Sequence, residues 1–119
     1  MDRRLLGAVG ESMAAAAYRK RGYALLAANY RTRLGEVDLI AQKGGTLVFI
    51  EVKTRAGKQI ARPMEFVTPA KQKRIILAAQ AFLTAHPALV DSVIRFDVYE
   101  VWQEGDRCAE RCIENAFGL

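Results

Sequence analysis

Histidine and cysteine are scarce in this 119-residue chain, which has one histidine, His86, and two cysteines, Cys108 and Cys112. The cysteines stand four apart near the C-terminus with no second Cys or His pair to complete a set, which argues against a tetrahedral zinc site. His86 precedes Pro87 at the end of a helical stretch, alone, and reads as a capping or solvated residue rather than a catalytic one. No run approaches the ~18 apolar residues of a spanning helix. The basic and then apolar start is interrupted by Glu11 and followed by Tyr18-Arg-Lys-Arg, unlike a secretion signal. A cytoplasmic protein with reduced thiols and no membrane partner is therefore expected. Repeats and linkers are also missing, and a single domain over residues 1–119 is expected, with 51% hydrophobic residues to build its core.

Charge is not scarce. Lys and Arg number 18 against 13 Asp and Glu, a formal charge of +5, which favours an anionic partner such as nucleic acid.

The most informative stretch is residues 35–55, two aliphatic, β-branched runs joined at Gly44-Gly45, a pair suited to a two-residue hairpin loop. Lys43 then stands opposite Thr46, and counting outward places Asp38 opposite Glu51 and Glu36 opposite Lys53. Period-two alternation puts Asp38, Glu51 and Lys53 on one face with Ile40, Phe49 and Leu47, and Glu36 at the patch's edge. The other face carries Val37, Leu39, Val48, Ile50 and Val52, so both faces should be covered. Two carboxylates side by side at a covered sheet end repel one another unless a cation sits between them. Mg²⁺ held by the carboxylates satisfies that need, and so does an ion-pair cluster with Lys53 or Arg55. Spacing alone leaves both readings open.

Residues 4–21 are rich in Ala and Leu and end in a basic turn before Gly22, which predicts a helix. Gly7, Ala14, Ala15 and Tyr18 fall around Glu11 at helical spacing. The residues by themselves favour a solvated or arginine-paired Glu11 over a buried one. Residues 23–31 read as a first strand, followed by a basic connection whose Arg31 and Arg33 hold phosphate or balance the carboxylates. Residues 54–67 read as a polar loop beside the patch. Thr68-Pro69 opens a second helix running to about Ala85, with Ile75, Ile76, Ala79, Phe82 and Leu83 as its inner stripe. Lys71, Lys73 and Arg74 in its first turns suit a phosphate or form a solvated basic face. Residues 92–102 read as a strand in which Arg95 and Asp97 share a face as a structural pair. Residues 107–114 follow as a short strand or helix, then a C-terminal tail. The order helix, strand, strand, strand, helix, strand predicts an α/β fold, a mixed central sheet flanked by helices.

Asp38, twelve intervening residues, then Glu51-Val52-Lys53 resembles the PD-(D/E)XK motif of restriction-endonuclease-like nucleases. With Glu11 on the preceding helix the pattern is similar to that of the archaeal Holliday-junction resolvases. Gly10-Glu11, Asn29-Tyr30, Gly35-Glu36-Val37-Asp38, Glu51-Val52-Lys53-Thr54-Arg55, Val67-Thr68-Pro69-Ala70-Lys71, Arg95-Phe96-Asp97-Val98 and Asn115-Ala116-Phe117 together resemble the YraN-like family of small bacterial proteins. Two departures are visible. Val37 replaces the motif's proline, and residues 58–63 lack a glycine expected in that loop.

The resemblance implies a restriction-endonuclease-like fold and a Mg²⁺- or Mn²⁺-dependent endonuclease acting on DNA, on branched or structured substrates by analogy to the resolvases. It makes Asp38 and Glu51 metal ligands, adds the Val52 carbonyl and an accessory Glu11, and gives Lys53 the attacking water. Arg31, Arg33, Arg55, Lys71, Lys73 and Arg74 become candidate nucleic-acid contacts, and resolvase-like action implies a homodimer. A module that binds nucleic acid or a protein partner without catalysis is the alternative.

Overall fold

A computed structural model describes residues 3–56 and 67–118. Helix α1 (Arg3–Lys20) leads into strands β1 (Ala24–Arg31), β2 (Glu36–Lys43) and β3 (Thr46–Ala56), followed by helix α2 (Pro69–Ala85), a short 3-10 turn (Pro87–Leu89), and strands β4 (Val93–Glu104) and β5 (Arg107–Phe117). The five strands form one sheet in sequence order. All neighbours are antiparallel except β3 and β4, which run parallel. The expected mixed sheet flanked by helices is the architecture found. It is consistent with a restriction-endonuclease-like arrangement. The parallel pair requires a crossover, and α2 provides it, so its first turn follows the C-terminal end of β3 in the chain.

The helix ends follow from local chemistry. Gly22, at φ 92°, terminates α1: its N–H bonds the Arg19 carbonyl and the Tyr23 N–H bonds that of Tyr18, a Schellman closure. Thr68 caps α2, its side-chain oxygen accepting from the Lys71 N–H at 3.1 Å, with Pro69 in the first turn. At the other end the His86 ring stacks on Phe82 and its Nδ1 bonds the Phe82 carbonyl, the capping role expected of it.

Each sheet face carries its own core. Ile40, Leu47, Phe49, Phe96 and Val98 pack against Ile75, Ala79 and Phe82 of α2, while Leu39, Ala41, Val48, Ile50, Tyr99 and Val101 pack against Ala14 and Tyr18 of α1. The buried stripe of α1 is Leu6, Gly10, Ala14 and Tyr18 rather than the set containing Gly7 and Ala15. A β-carbon on Gly10 would lie 2.4 Å from the Thr54 methyl, so α1 crosses β3 closely at that point.

Several expectations are corrected. β3 continues through residues 54–56, so the connection begins later than expected, and residues 57–66, including the whole of the 58–63 segment, lie outside the described residues. Only Gly44 of the glycine pair has a positive φ, 57°. Val37 packs in the α2 cluster instead of sharing a face with Leu39, because alternation breaks at Asp38. The C-terminal region is a full strand paired with β4, carried past a shift in register between Phe96 and Val98 where Asn115 takes φ 53°. That strand ties the molecule together at Asp97. Fully buried, Asp97 accepts from the Tyr18 hydroxyl at 2.6 Å, from Arg95 Nε and Nη2 at 2.9 and 3.0 Å, and from the Asn115 N–H at 3.0 Å. Arg95 and Asp97 are thus the structural pair expected of them.

Candidate functional site

The hairpin pairs as counted from its turn, with Lys43 opposite Thr46 and each rung matched out to Leu39 opposite Ile50. Beyond that rung the strands part. The Val52 N–H bonds the Asp38 side chain at 2.7 Å, a side-chain oxygen taking the place of a backbone partner. Asp38 is thereby held at the open end of the hairpin beside Glu51, which is 3% exposed.

Burial and the neighbouring Glu51 carboxylate raise the Asp38 carboxyl to about pH 7, with hydrogen bonding to Glu51 adding to the rise. The Val52 N–H and the Lys71 ammonium pull it down, without prevailing. Two carboxylates in one desolvated pocket cannot both be ionised at low cost, so a shared proton or a cation must stand between them.

Two lysines approach the pair. Lys53 Nζ lies 3.4 Å from Glu51 Oε2, and Lys71 Nζ lies 3.6 Å from the same atom and 3.5 Å from Glu36 Oε1. The second oxygen of Glu36 faces Arg31 Nε at 3.7 Å. The cluster therefore runs Arg31, Glu36, Lys71, Glu51, Lys53, with Asp38 beside Glu51.

The structure thus brings together Asp38, Glu51, Lys53, Lys71, Glu36 and Arg31. Glu11 stands apart: its Oε1 accepts from Asn29 Nδ2 at 3.1 Å. Asn29 falls between the β1–β2 rungs Ala28 to Leu39 and Tyr30 to Val37, at the level of Asp38 along the strands. Arg33, Lys73 and Arg74 are exposed and Arg55 is half-buried on β3. The turn before β2 sits directly on α2, since a β-carbon on Gly35 would lie 1.8 Å from the Arg74 carbonyl oxygen. Only glycine allows that approach, which sets Arg33 and Arg74 on neighbouring elements.

Three participants escaped the sequence reading. Lys71 was assigned to phosphate rather than to the carboxylates. A β-α-β crossover would have signalled its place, because such a helix starts over the end of the strand before it. Asn29 was legible as an asparagine able to take positive φ, here 51°. Glu100 is a third buried carboxylate, in register with Lys53 across β3 and β4, but it is bonded to Arg111 Nη2 at 2.7 Å.

The donor set fits a hard divalent cation. Mg²⁺ and Mn²⁺ take oxygen ligands and commonly use one or two carboxylates with water and phosphate completing the shell. Among the described residues no group of three or more His, Cys, Asp or Glu is arranged to hold a metal ion. The site is a carboxylate pair, not a closed cage.

Fold and site together define an α/β protein with a carboxylate pair, one member buried and the other half-buried, and two lysines at the open end of a central hairpin. The chain belongs to the uncharacterised protein family UPF0102, whose model matches residues 10–101. It is 48% identical to a UPF0102 protein of Symbiobacterium thermophilum, with 98% of each chain covered. It is 42% identical to one of Desulforapulum autotrophicum, over 94% of this chain and 92% of that protein. A Caldicellulosiruptor saccharolyticus relative is 40% identical, over 98% of this chain and all of the other.

Proposed function

We propose that this chain is a metal-dependent endonuclease of the PD-(D/E)XK superfamily that hydrolyses phosphodiester bonds in DNA, with branched or otherwise structured DNA as its preferred substrate. The observation that carries the reading is the pairing of half-buried Asp38 with buried Glu51 at the point where β2 and β3 part, with Lys53 Nζ 3.4 Å from Glu51.

Asp38 and Glu51, with the Val52 carbonyl, would hold Mg²⁺ or Mn²⁺, which supplies a water of lowered pKa and charge for the phosphoryl oxygens. Lys53 orients the attacking water and places positive charge where the phosphorane gathers negative charge. Glu11, reached through Asn29, is an accessory ligand. Arg31, Arg33, Arg55, Lys71, Lys73 and Arg74 follow the phosphate backbone. Symmetric cutting of a junction requires two copies, hence a homodimer. We place the activity in the cytoplasm and in one domain spanning residues 1–119.

A second reading, a module that binds nucleic acid or a partner without cutting, is favoured by one observation: Glu11 is engaged with Asn29 instead of with the carboxylate pair. Incubation with labelled duplex, single-stranded, flap and four-way DNA separates the two, using Mg²⁺, Mn²⁺ or chelator and the Asp38→Ala and Lys53→Ala variants. Cleavage that needs metal and fails in both variants supports the nuclease. No cleavage with any metal, or equal cleavage by the variants, removes it. Salt-sensitive binding that never leads to a cut then establishes the binding module.

A further inference from the structure

Lys71 differs from the other lysine of the cluster in having two carboxylates to choose from. Its Nζ is 3.6 Å from Glu51 and 3.5 Å from Glu36, so neither contact dominates by distance. Lys53 sits two residues from Glu51 on one strand and shares its face. Lys71 instead arrives from α2, held in place by the Thr68 cap on its own N–H, with 28% of its side chain exposed against 4% for Glu51.

Charge explains why the choice matters. Glu36, Asp38 and Glu51 face Arg31, Lys53 and Lys71, three formal negative against three formal positive charges. A divalent ion at Asp38 and Glu51 would bring two further positive charges beside an ammonium already on Glu51, and like charges at such range repel strongly in a pocket screened from water. Lys71 can relieve this by a side-chain rotation alone, because its second carboxylate already lies within reach.

We propose that Lys71 is the resident counter-ion of the metal site, shared between Glu51 and Glu36 when metal is absent and withdrawn to Glu36 alone when metal binds. This rests on the reading of Asp38 and Glu51 as metal ligands. Glu36 is the positioning residue of the exchange: it holds Lys71 beside Arg31, ready for the phosphate of an incoming strand, and its carboxylate is what that phosphate must displace.

The test is Mn²⁺ binding to the full chain by calorimetry and by electron paramagnetic resonance of free Mn²⁺, without DNA. Lys71→Met, which keeps the aliphatic stem, is expected to bind Mn²⁺ about tenfold more tightly than wild type. Glu36→Gln, which leaves Lys71 only Glu51, is expected to bind several-fold more weakly, by roughly the same class of charge coupling. In the double variant the Glu36→Gln loss should vanish, because it acts through Lys71. Circular dichroism and thermal melting establish that each variant is folded, and Lys71→Gln replaces Lys71→Met should the latter not fold. Equal or weaker Mn²⁺ binding by the folded Lys71 variant overturns the proposal, as does a Glu36→Gln loss that persists in the double variant. If wild type binds Mn²⁺ and Asp38→Asn abolishes it while Lys71→Met changes nothing, only the counter-ion role falls. If no protein binds Mn²⁺, the metal-site reading falls and takes this proposal with it.

Discussion

Asp97 and Asp38 are both carboxylates largely removed from water, and their surroundings make them opposites. Asp97 receives four hydrogen bonds, two of them from the Arg95 guanidinium, so its charge is compensated where it lies. Burial and the bond to Asp97 in turn push the Tyr18 hydroxyl far above the usual phenol range. Tyr18→Phe should cost about 1–2 kcal/mol in urea denaturation, whereas Asp97→Ala, stranding Arg95 and the Tyr18 hydroxyl, should cost about 3–5 kcal/mol. Asp38 faces Glu51 instead. In the unfolded chain it ionises near 3.8 and in the fold near 7, so across that window the folded state binds the extra proton. Its contribution to stability is fully present below the lower value and lost as pH rises through the higher one. The melting temperature of the metal-free protein should therefore fall between about pH 4 and pH 7 by an amount that Asp38→Asn removes. Divalent metal should restore the loss in wild type alone.

Elements differ in how much of themselves they reveal in sequence. The hairpin declared its register because Gly44-Gly45 fixed the count, and α2 declared its start because Thr68-Pro69 is a cap chemistry that few other structures use. What lay beyond reading was set by contacts far apart in the chain. Val37 changes face because the Asp38 side chain takes the Val52 N–H. Lys71 reaches Glu51 only through the crossover. β5 hides because Cys108, Glu110, Arg111 and Glu114 give it no clear alternation and Asn115 bends it at the shift in register. Two outcomes belong to this scale. Gly35→Ala should destabilise by about 2 kcal/mol or more, since its methyl would meet the Arg74 carbonyl and part the β1–β2 turn from α2; chemical denaturation measures it. Cys108 and Cys112 pair with Gln103 and Tyr99 on β4, four residues apart along β5, about 13 Å by strand rise, too far to join. Thiol titration after mild oxidation of dilute protein should still count two free groups.

At the scale of the whole molecule, one sheet is covered on each face by a helix, and neither described helix is long and apolar enough to cross a membrane. The exposed cations Arg31 and Arg33 on one side and Lys73 and Arg74 on the other flank the docked turn, so a charge of +5 is partly gathered near the carboxylate pair. If these residues meet phosphates, Arg33→Ala with Arg74→Ala should lower the slope of log affinity for DNA against log salt by about 2, read by fluorescence anisotropy.

The parting of β2 and β3 has a spectroscopic consequence. An amide proton donated to a carboxylate responds to that carboxylate's charge, and in this fold the Val52 N–H is donated to Asp38 at 2.7 Å. The Val52 cross-peak in a ¹⁵N-correlated NMR spectrum should move with a midpoint near pH 7 in metal-free protein, and shift to a pH-insensitive position when Mg²⁺ is added. A single backbone resonance would then report the state of the whole site, with no change to any side chain that the site uses.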